Sequence, residues 1–231
     1  MKKPLVLLTL LCVFVPVSAQ QQQAEPQHKL LEFQMALLKR GPKTVFDWET
    51  SDLRQRHHEY AHSLLDADKA MIAGPIKDDP ELRGVYIFRT KSADEARGWV
   101  MADPAVAAGH FTVEMHPWWS EDVMKKTTTP RKMMTAYLAF LVRGDKWTPE
   151  KTPQTEAIQK AHLANIQKLA DMKKLVVAGP FGDNGTLRGI FVFRVDSIEE
   201  ARQLAATDPA VQAGRLALQI HPWIVPEGIL P

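Results

Sequence analysis

Ala102–Trp118 reads ADPAVAAGHFTVEMHPW, and Thr207–Trp223 reads TDPAVQAGRLALQIHPW. The two stretches share Asp-Pro-Ala-Val, a glycine and a closing His-Pro-Trp at matched positions. The correspondence extends well beyond them. Sliding the chain on itself by 105 residues lays His57 on His162, Ala73-Gly74-Pro75 on Ala178-Gly179-Pro180, Leu82-Arg83-Gly84 on Leu187-Arg188-Gly189 and Phe88-Arg89 on Phe193-Arg194, with no gap. Roughly two in five paired positions are identical, more than shared composition produces. Upstream, LLKRG from Leu37 matches FLVRG from Phe140 with a shift of two, so only the loop before the first helix differs in length. The chain is a tandem duplication of a domain-sized unit, not a solenoid.

Each copy carries the same series of periodic segments. FQMALLKR from Phe33 and AYLAFLVR from Ala136 read as short first strands closed by Gly41 and Gly144. A helix follows, Asp52 to about Asp66 and Gln154 to about Met172. Leu53, His57, Ala61 and Leu64 share one face of it, as do Ile158, His162, Ile166 and Leu169. AMIAGP and LVVAGP form a second strand ending in a Gly-Pro turn, and GVYIFR and GIFVFR a third. A second helix opens on Ser92 or Ser197 as N-cap, with Glu95 or Glu200 at the capping-box position, and stops at Pro104 or Pro209. HFTVEMHP and RLALQIHP alternate as the fourth strand. The order βαββαβ, written twice, predicts an α+β protein of two ferredoxin-like domains, each with four antiparallel strands and both helices on one face. The expected boundaries are 1–19 for a leader, 20–29 for a flexible arm, 30–119 and 133–231 for the two domains, and 120–132 for the linker between them.

In this topology His57, in the first half of helix one, and Asp103, just after helix two, meet at one rim. The Gly74-Pro75 turn and the variable loop with Trp48 lie at the same edge. His162, Asp208, Gly179-Pro180 and the loop with Trp147 repeat the arrangement. An imidazole titrates near neutral pH, and an adjacent carboxylate fixes its tautomer and stabilises its charged form, so the pair suits proton transfer. Gly74, Pro75, Gly179, Pro180, Trp48 and Trp147 are the candidate pocket walls. The residues alone equally allow a core histidine bonded to a backbone carbonyl and an aspartate that only caps a helix end. The pair recurs while its neighbours drift (His58 against Leu163, Tyr60 against Asn165, His62 against Gln167), as either reading permits.

HHEYAHSLLDADKAMIAGP at 57–75 and HLANIQKLADMKKLVVAGP at 162–180 are each followed by Ser-x-x-Glu-Ala, by Asp-Pro with a glycine five residues after the proline, and by His-Pro-Trp. This ordered set resembles the YciI-like, or YCII-related, family of small ferredoxin-like proteins, and the likeness covers nearly all of both copies. The resemblance implies a dimeric α+β barrel with two facing sheets, closed here within one chain. It also implies a His/Asp dyad, His57 with Asp103 and His162 with Asp208, and isomerase-like or dehydrohalogenating chemistry on small organic molecules. The family's common form is a single cytosolic domain, and this chain departs from it in being doubled and in its first residues.

Those residues, MKKPLVLLTLLCVFVPVSAQ, combine Lys2 and Lys3, an apolar stretch too short to span a bilayer, and small residues at Ser18 and Ala19. They read as a cleavable signal peptide, which predicts a periplasmic or extracellular protein. Cys12, the only cysteine, lies inside this leader, so disulfides and thiolate chemistry are excluded from the mature chain. Loss of Lys2 and Lys3 takes the 29 basic residues to 27, equal to the 27 acidic ones, and nothing points to nucleic acid or, after cleavage, to a membrane. His58 and His62, four apart, are spaced to bind a metal from one helix face, but the second copy lacks both and a solvated polar face is favoured. No metal, nucleotide or other cofactor is expected. Arg83, Arg89, Arg188 and Arg194 read as surface ion-pair residues, and the His-Pro-Trp segments as packing at a barrel seam. The expected partners are a small-molecule substrate or ligand and the other half of the same chain, with a homodimer left open. The expected function is proton transfer by the dyads, and the alternative is a non-catalytic small-ligand-binding module.

Overall fold

The computed structural model describes residues 29–44 and 47–231. The leader expected over 1–19 and nearly all of the arm expected over 20–29 lie outside them. The first half runs β1 (Leu31–Arg40), α1 (Asp52–Asp66), β2 (Ala70–Pro75), β3 (Leu82–Phe88), α2 (Ala93–Met101), α3 (Pro104–Ala107) and β4 (Phe111–Ser120). The second repeats it as β5 (Met133–Arg143), α4 (Pro153–Asp171), β6 (Leu175–Pro180), β7 (Leu187–Phe193), α5 (Ile198–Ala205), α6 (Pro209–Gln212) and β8 (Leu216–Pro226). Each half forms one antiparallel sheet, ordered β2-β3-β1-β4 and β6-β7-β5-β8, which is the ferredoxin-like arrangement.

Both central strands are longer than their apolar runs indicate. β1 pairs with β4 from Leu31 opposite Ser120, and β5 with β8 from Met133 opposite Pro226. Residues 33–38 of β1 are all buried because both faces of the sheet are covered. Phe33, Met35 and Leu37 point at the other half, where Ala136, Leu138, Phe140, Ile190 and Val192 complete one apolar interior between the facing sheets. The alternate residues Ala36 and Leu38 pack under the helices with Ala61, Leu64, Phe88, Ala96 and Val100, and Ala139 and Leu141 do the same in the second half.

The halves close on each other through the His-Pro-Trp segments, which lie within β4 and β8. Trp118 and Trp223 are fully buried, and their indole N–H groups donate to the carbonyls of Gly179 and Gly74 in the opposite half, each at 3.1 Å. Bridges between Ile76 and Trp223 and between Trp118 and Phe181 continue the seam. Here the expectation of a Gly-Pro turn is corrected: Gly74-Pro75 and Gly179-Pro180 belong to β2 and β6, still paired with β3 and β7, and the chain turns only after them. The glycines are needed for close approach. A Cβ on Gly74 would stand 2.2 Å from the Ile224 carbonyl oxygen, and one on Gly179 1.9 Å from that of Trp119.

Asp-Pro also does more than stop a helix. Asp103 and Asp208 are the N-caps of the short helices α3 and α6, accepting hydrogen bonds from Ala105 N at 2.9 Å and Ala210 N at 2.8 Å. Proline at the first helical position loses no bond, because that N–H has no intrahelical partner. Gly109 and Gly214 end these helices with φ of 78° and 70°, a conformation that costs glycine little. Ser92 and Ser197 cap α2 and α5 as expected. The reciprocal arm is not made to the cap: Glu95 accepts instead from Thr90 and Glu200 from the Asp196 backbone.

Candidate active site

α1 begins at Ser51, whose hydroxyl accepts from Arg54 N, and its second turn carries His57 toward the start of α3. His57 Nδ1 lies 3.0 and 2.8 Å from the two carboxylate oxygens of Asp103. Asp103 is completely buried and the His57 side chain 13% exposed. The same carboxylate accepts from the Tyr86 hydroxyl on β3 at 2.9 Å. Burial and the Asp103 charge hold the Tyr86 phenol well above its ordinary range, so it stays protonated and donates. Asp103 thus has an imidazole, a phenol and a backbone amide as partners: it caps the start of α3 and holds a histidine at the same time.

His57 lines a cavity of about 290 Å³, at the lower edge of the size range of small-molecule sites. Its walls include Trp48, Phe111, Tyr86, Gly74 and Pro75, and the second half contributes Ile224 and Pro226. Trp48 sits in a single helical turn just before α1. Its ring stacks on His110 at 4.0 Å, meets Phe111 edge-on at 5.2 Å and lies 5.8 Å from His57.

His58 and His62 line the same cavity. His58 is pushed down to about 4, first by burial, then by the charges of His57, Arg54, His62 and Lys77. The unfolded chain takes up a proton near the ordinary 6.5 while the native state resists it. His58 therefore withdraws stability as pH falls from about 6.5 to about 4 and has no effect on the slope above that window. In urea unfolding followed from pH 7 to 4.5, His58→Gln is expected to flatten the decline by under about 2 kcal/mol, partial exposure having reduced the effect. An unchanged slope contradicts this environment for His58. Among the described residues no group of three or more His, Cys, Asp or Glu side chains could hold a metal ion.

In the second half His162 Nδ1 is 2.6 Å from Asp208, which is also completely buried. Phe191 occupies the place of Tyr86 and stacks on His162 at 6.0 Å, so this aspartate has no phenol partner. Trp147 does not take the place of Trp48. It lies 3.9 Å from the Arg143 guanidinium and 5.6 Å from that of Arg188. The cause is loop length: Trp147 stands three residues past Gly144, whereas Trp48 stands seven past Gly41.

The YCII-related domain model matches residues 10–118 and 139–224. The chain belongs to the YCII-related domain family. Over 90 residues it is 34% identical to the uncharacterized protein YjpA of Bacillus subtilis (strain 168), a match covering 39% of this chain and 95% of that protein. Solved structures of the same fold include chlorite dismutase from Candidatus Nitrospira defluvii in complex with imidazole. It has a TM-score of 0.53 and 9% identity, over 86% of this chain and 92% of that one. A heme-binding protein from Thermus thermophilus has a TM-score of 0.51 and 14% identity, over 86% and 92%. At these identities the likeness is one of fold.

Within this YCII-related protein the arginines separate by role. Arg89 pairs with Asp68 and Asp122, and Arg194 donates to the Pro231 carbonyl, as surface residues do. Arg83, also expected at the surface, lines the cavity instead, because it precedes Gly84 on β3 at the rim. Tyr86, His110, Arg54 and Lys77 were not singled out from the sequence. Their signal is subtractive: the second copy has Phe191, Arg215, Gln159 and Gly182 at those positions.

Proposed function

We propose that this YCII-related protein acts on a small organic molecule outside the cytoplasm, exported by the leader at 1–19, and that His57 exchanges a proton with that molecule while Asp103 holds the imidazole. One observation supports this above the others: a fully buried carboxylate grips Nδ1 of a histidine that lines a cavity. With Nδ1–H donated to Asp103, the lone pair on Nε2 is the acceptor. A C–H or O–H bond of an enolisable or phenolic substrate breaks, the proton forms an N–H bond at Nε2, and the electron pair stays on the substrate as enolate or phenolate. Asp103 stabilises the imidazolium that results. Return of the proton to a different carbon is isomerisation, and expulsion of halide from the carbon beside the carbanion is dehydrohalogenation. His162 and Asp208 are proposed to play the same parts in the second half.

A haem does not fit the described residues. The layer between sheet and helices is filled by Leu64, Phe88, Ala96 and Val100 in the first half and by Leu169, Phe191, Phe193 and Ala201 in the second. The proton step needs none. Capture of a small ligand without turnover is the second reading, and one observation favours it: Asp103 and Asp208 both cap helices, so the pairs would persist for the fold's sake alone. The test is proton NMR of small ketones, keto acids and phenols in D₂O with the full mature chain. Exchange above the solvent rate that falls in His57→Gln and disappears when His162→Gln is added supports the catalytic reading. Ligand-induced thermal stabilisation with no exchange anywhere in the panel supports capture.

A further inference from the structure

We infer that the first-half cavity selects small organic carboxylates, with the carboxylate on Arg83 beside Lys77 and the apolar body against Trp48 and Phe111, next to His57. This names the ligand class for the site of the proposed function, and rests on that reading only for what happens at His57.

The whole chain is nearly balanced, 29 basic against 27 acidic residues. The cavity wall is not. It carries Arg54, Lys77, Arg83 and Arg131 against one carboxylate, Glu49. Glu49 is engaged by Arg54 at 3.4 Å, and Arg131 by Asp66 at 2.5 Å. Among the described residues neither Arg83 nor Lys77 forms an ion pair: Arg83 donates to the backbone carbonyl of Asp79 at 3.2 Å, and the Asp79 carboxylate, which feels the Arg83 charge, is taken up by the backbone N–H groups of Glu81 and Leu82. Arg83 also lines an adjoining cavity of about 260 Å³ with Arg40 and His110, and Trp48 and Phe111 are common to both. A guanidinium presents paired N–H donors that match a carboxylate, in a setting where two aromatic walls exclude water from one side.

Two neighbouring histidines register the same positive field. His110 is lowered first by burial, then by His57, Arg83 and Arg40, and Arg54 and Lys77 act in the same way on His58. The field belongs to the first half. Gln159 and Gly182 stand where Arg54 and Lys77 do, and Arg188, the counterpart of Arg83, lies over Trp147.

The test is ligand-detected NMR and calorimetry on the mature chain with matched pairs: benzoate and benzamide, 4-hydroxybenzoate and 4-hydroxybenzamide, succinate and succinamide. At least one acid is expected to bind at least tenfold more tightly than its amide, with a tenfold or greater loss in Arg83→Gln. Arg89→Gln removes the same charge away from the cavity and is expected to bind as wild type does. Amides binding as well as acids, acids indifferent to Arg83, or no binding in any pair would overturn the inference. Arg83-dependent binding of an acid with no His57-dependent exchange keeps it and sinks the proton-transfer reading. His57-dependent exchange of neutral ketones, with acids indifferent to Arg83, does the reverse.

Discussion

Gly179→Ala is expected to destabilise the protein by more than about 4 kcal/mol, enough to leave much of it unfolded if its total stability is of ordinary size. The added methyl would sit 1.9 Å from the Trp119 carbonyl oxygen and 3.1 Å from the Trp118 indole nitrogen. The oxygen belongs to backbone that continues the seam between the halves, and Trp118 is packed with no exposure, so neither can move aside. Relief would require the sheets to separate, which opens the apolar interior between them. Gly98 is the matched control, because nothing lies within 4 Å of a Cβ placed there. It sits inside α2, where Gly98→Ala is expected to stabilise by about 0.5–1 kcal/mol through helix propensity. The same substitution thus has opposite signs at the two sites. Urea denaturation of both variants measures this, and a Gly179→Ala midpoint equal to wild type would contradict the seam.

The second large effect concerns proton transfer. Asp103→Asn is expected to lower any His57-dependent exchange rate by roughly 10²–10⁴-fold, comparable with His57→Gln itself. Asp103 Oδ1 faces the Ala105 N–H at 2.9 Å, so an asparagine must keep its carbonyl oxygen there to preserve the helix cap. That places the amide N–H₂ where Oδ2 stands, 2.8 Å from His57 Nδ1 and 2.9 Å from the Tyr86 hydroxyl. Nδ1 must then accept, the ring proton moves to Nε2, and the nitrogen facing the ligand loses its lone pair. The cap survives, so the fold is expected to survive with it. Steady-state exchange kinetics beside a melting curve separate the two consequences. Undiminished exchange in a folded Asp103→Asn protein would remove the aspartate from the mechanism.

The architecture was legible in the sequence because duplication and strand alternation are local signals, and 105-residue self-similarity repeats each of them. The meeting of His57 with Asp103 and of His162 with Asp208 followed from topology, since antiparallel helices on one sheet bring the start of one beside the end of the next. What could not be read locally depended on backbone from the other half. Gly74-Pro75 has the composition of a turn, yet it stays in its strand because Trp223, 149 residues away, donates to its carbonyl. Asp103-Pro104 reads as the end of one helix, and the structure adds that its aspartate caps the start of another, α3. Trp147 matches Trp48 in residue type only: the loops differ in length, and the second tryptophan stacks on Arg143. The cavity's cations lay in plain view but carried no motif. Arg83 acquires its meaning from Lys77, Trp48 and Phe111, which a loop, a single helical turn and β4 bring to it.

The most direct measurement is the ring tautomer of His57, read by two-dimensional ¹H–¹⁵N correlation of imidazole-labelled protein at a pH where the ring is neutral, with His57→Gln to assign the signals. The proton is expected on Nδ1, held by Asp103, with Nε2 bare and shifting when a ligand enters the cavity. A neutral ring protonated at Nε2, or a spectrum that ignores every ligand shown to bind, would contradict it.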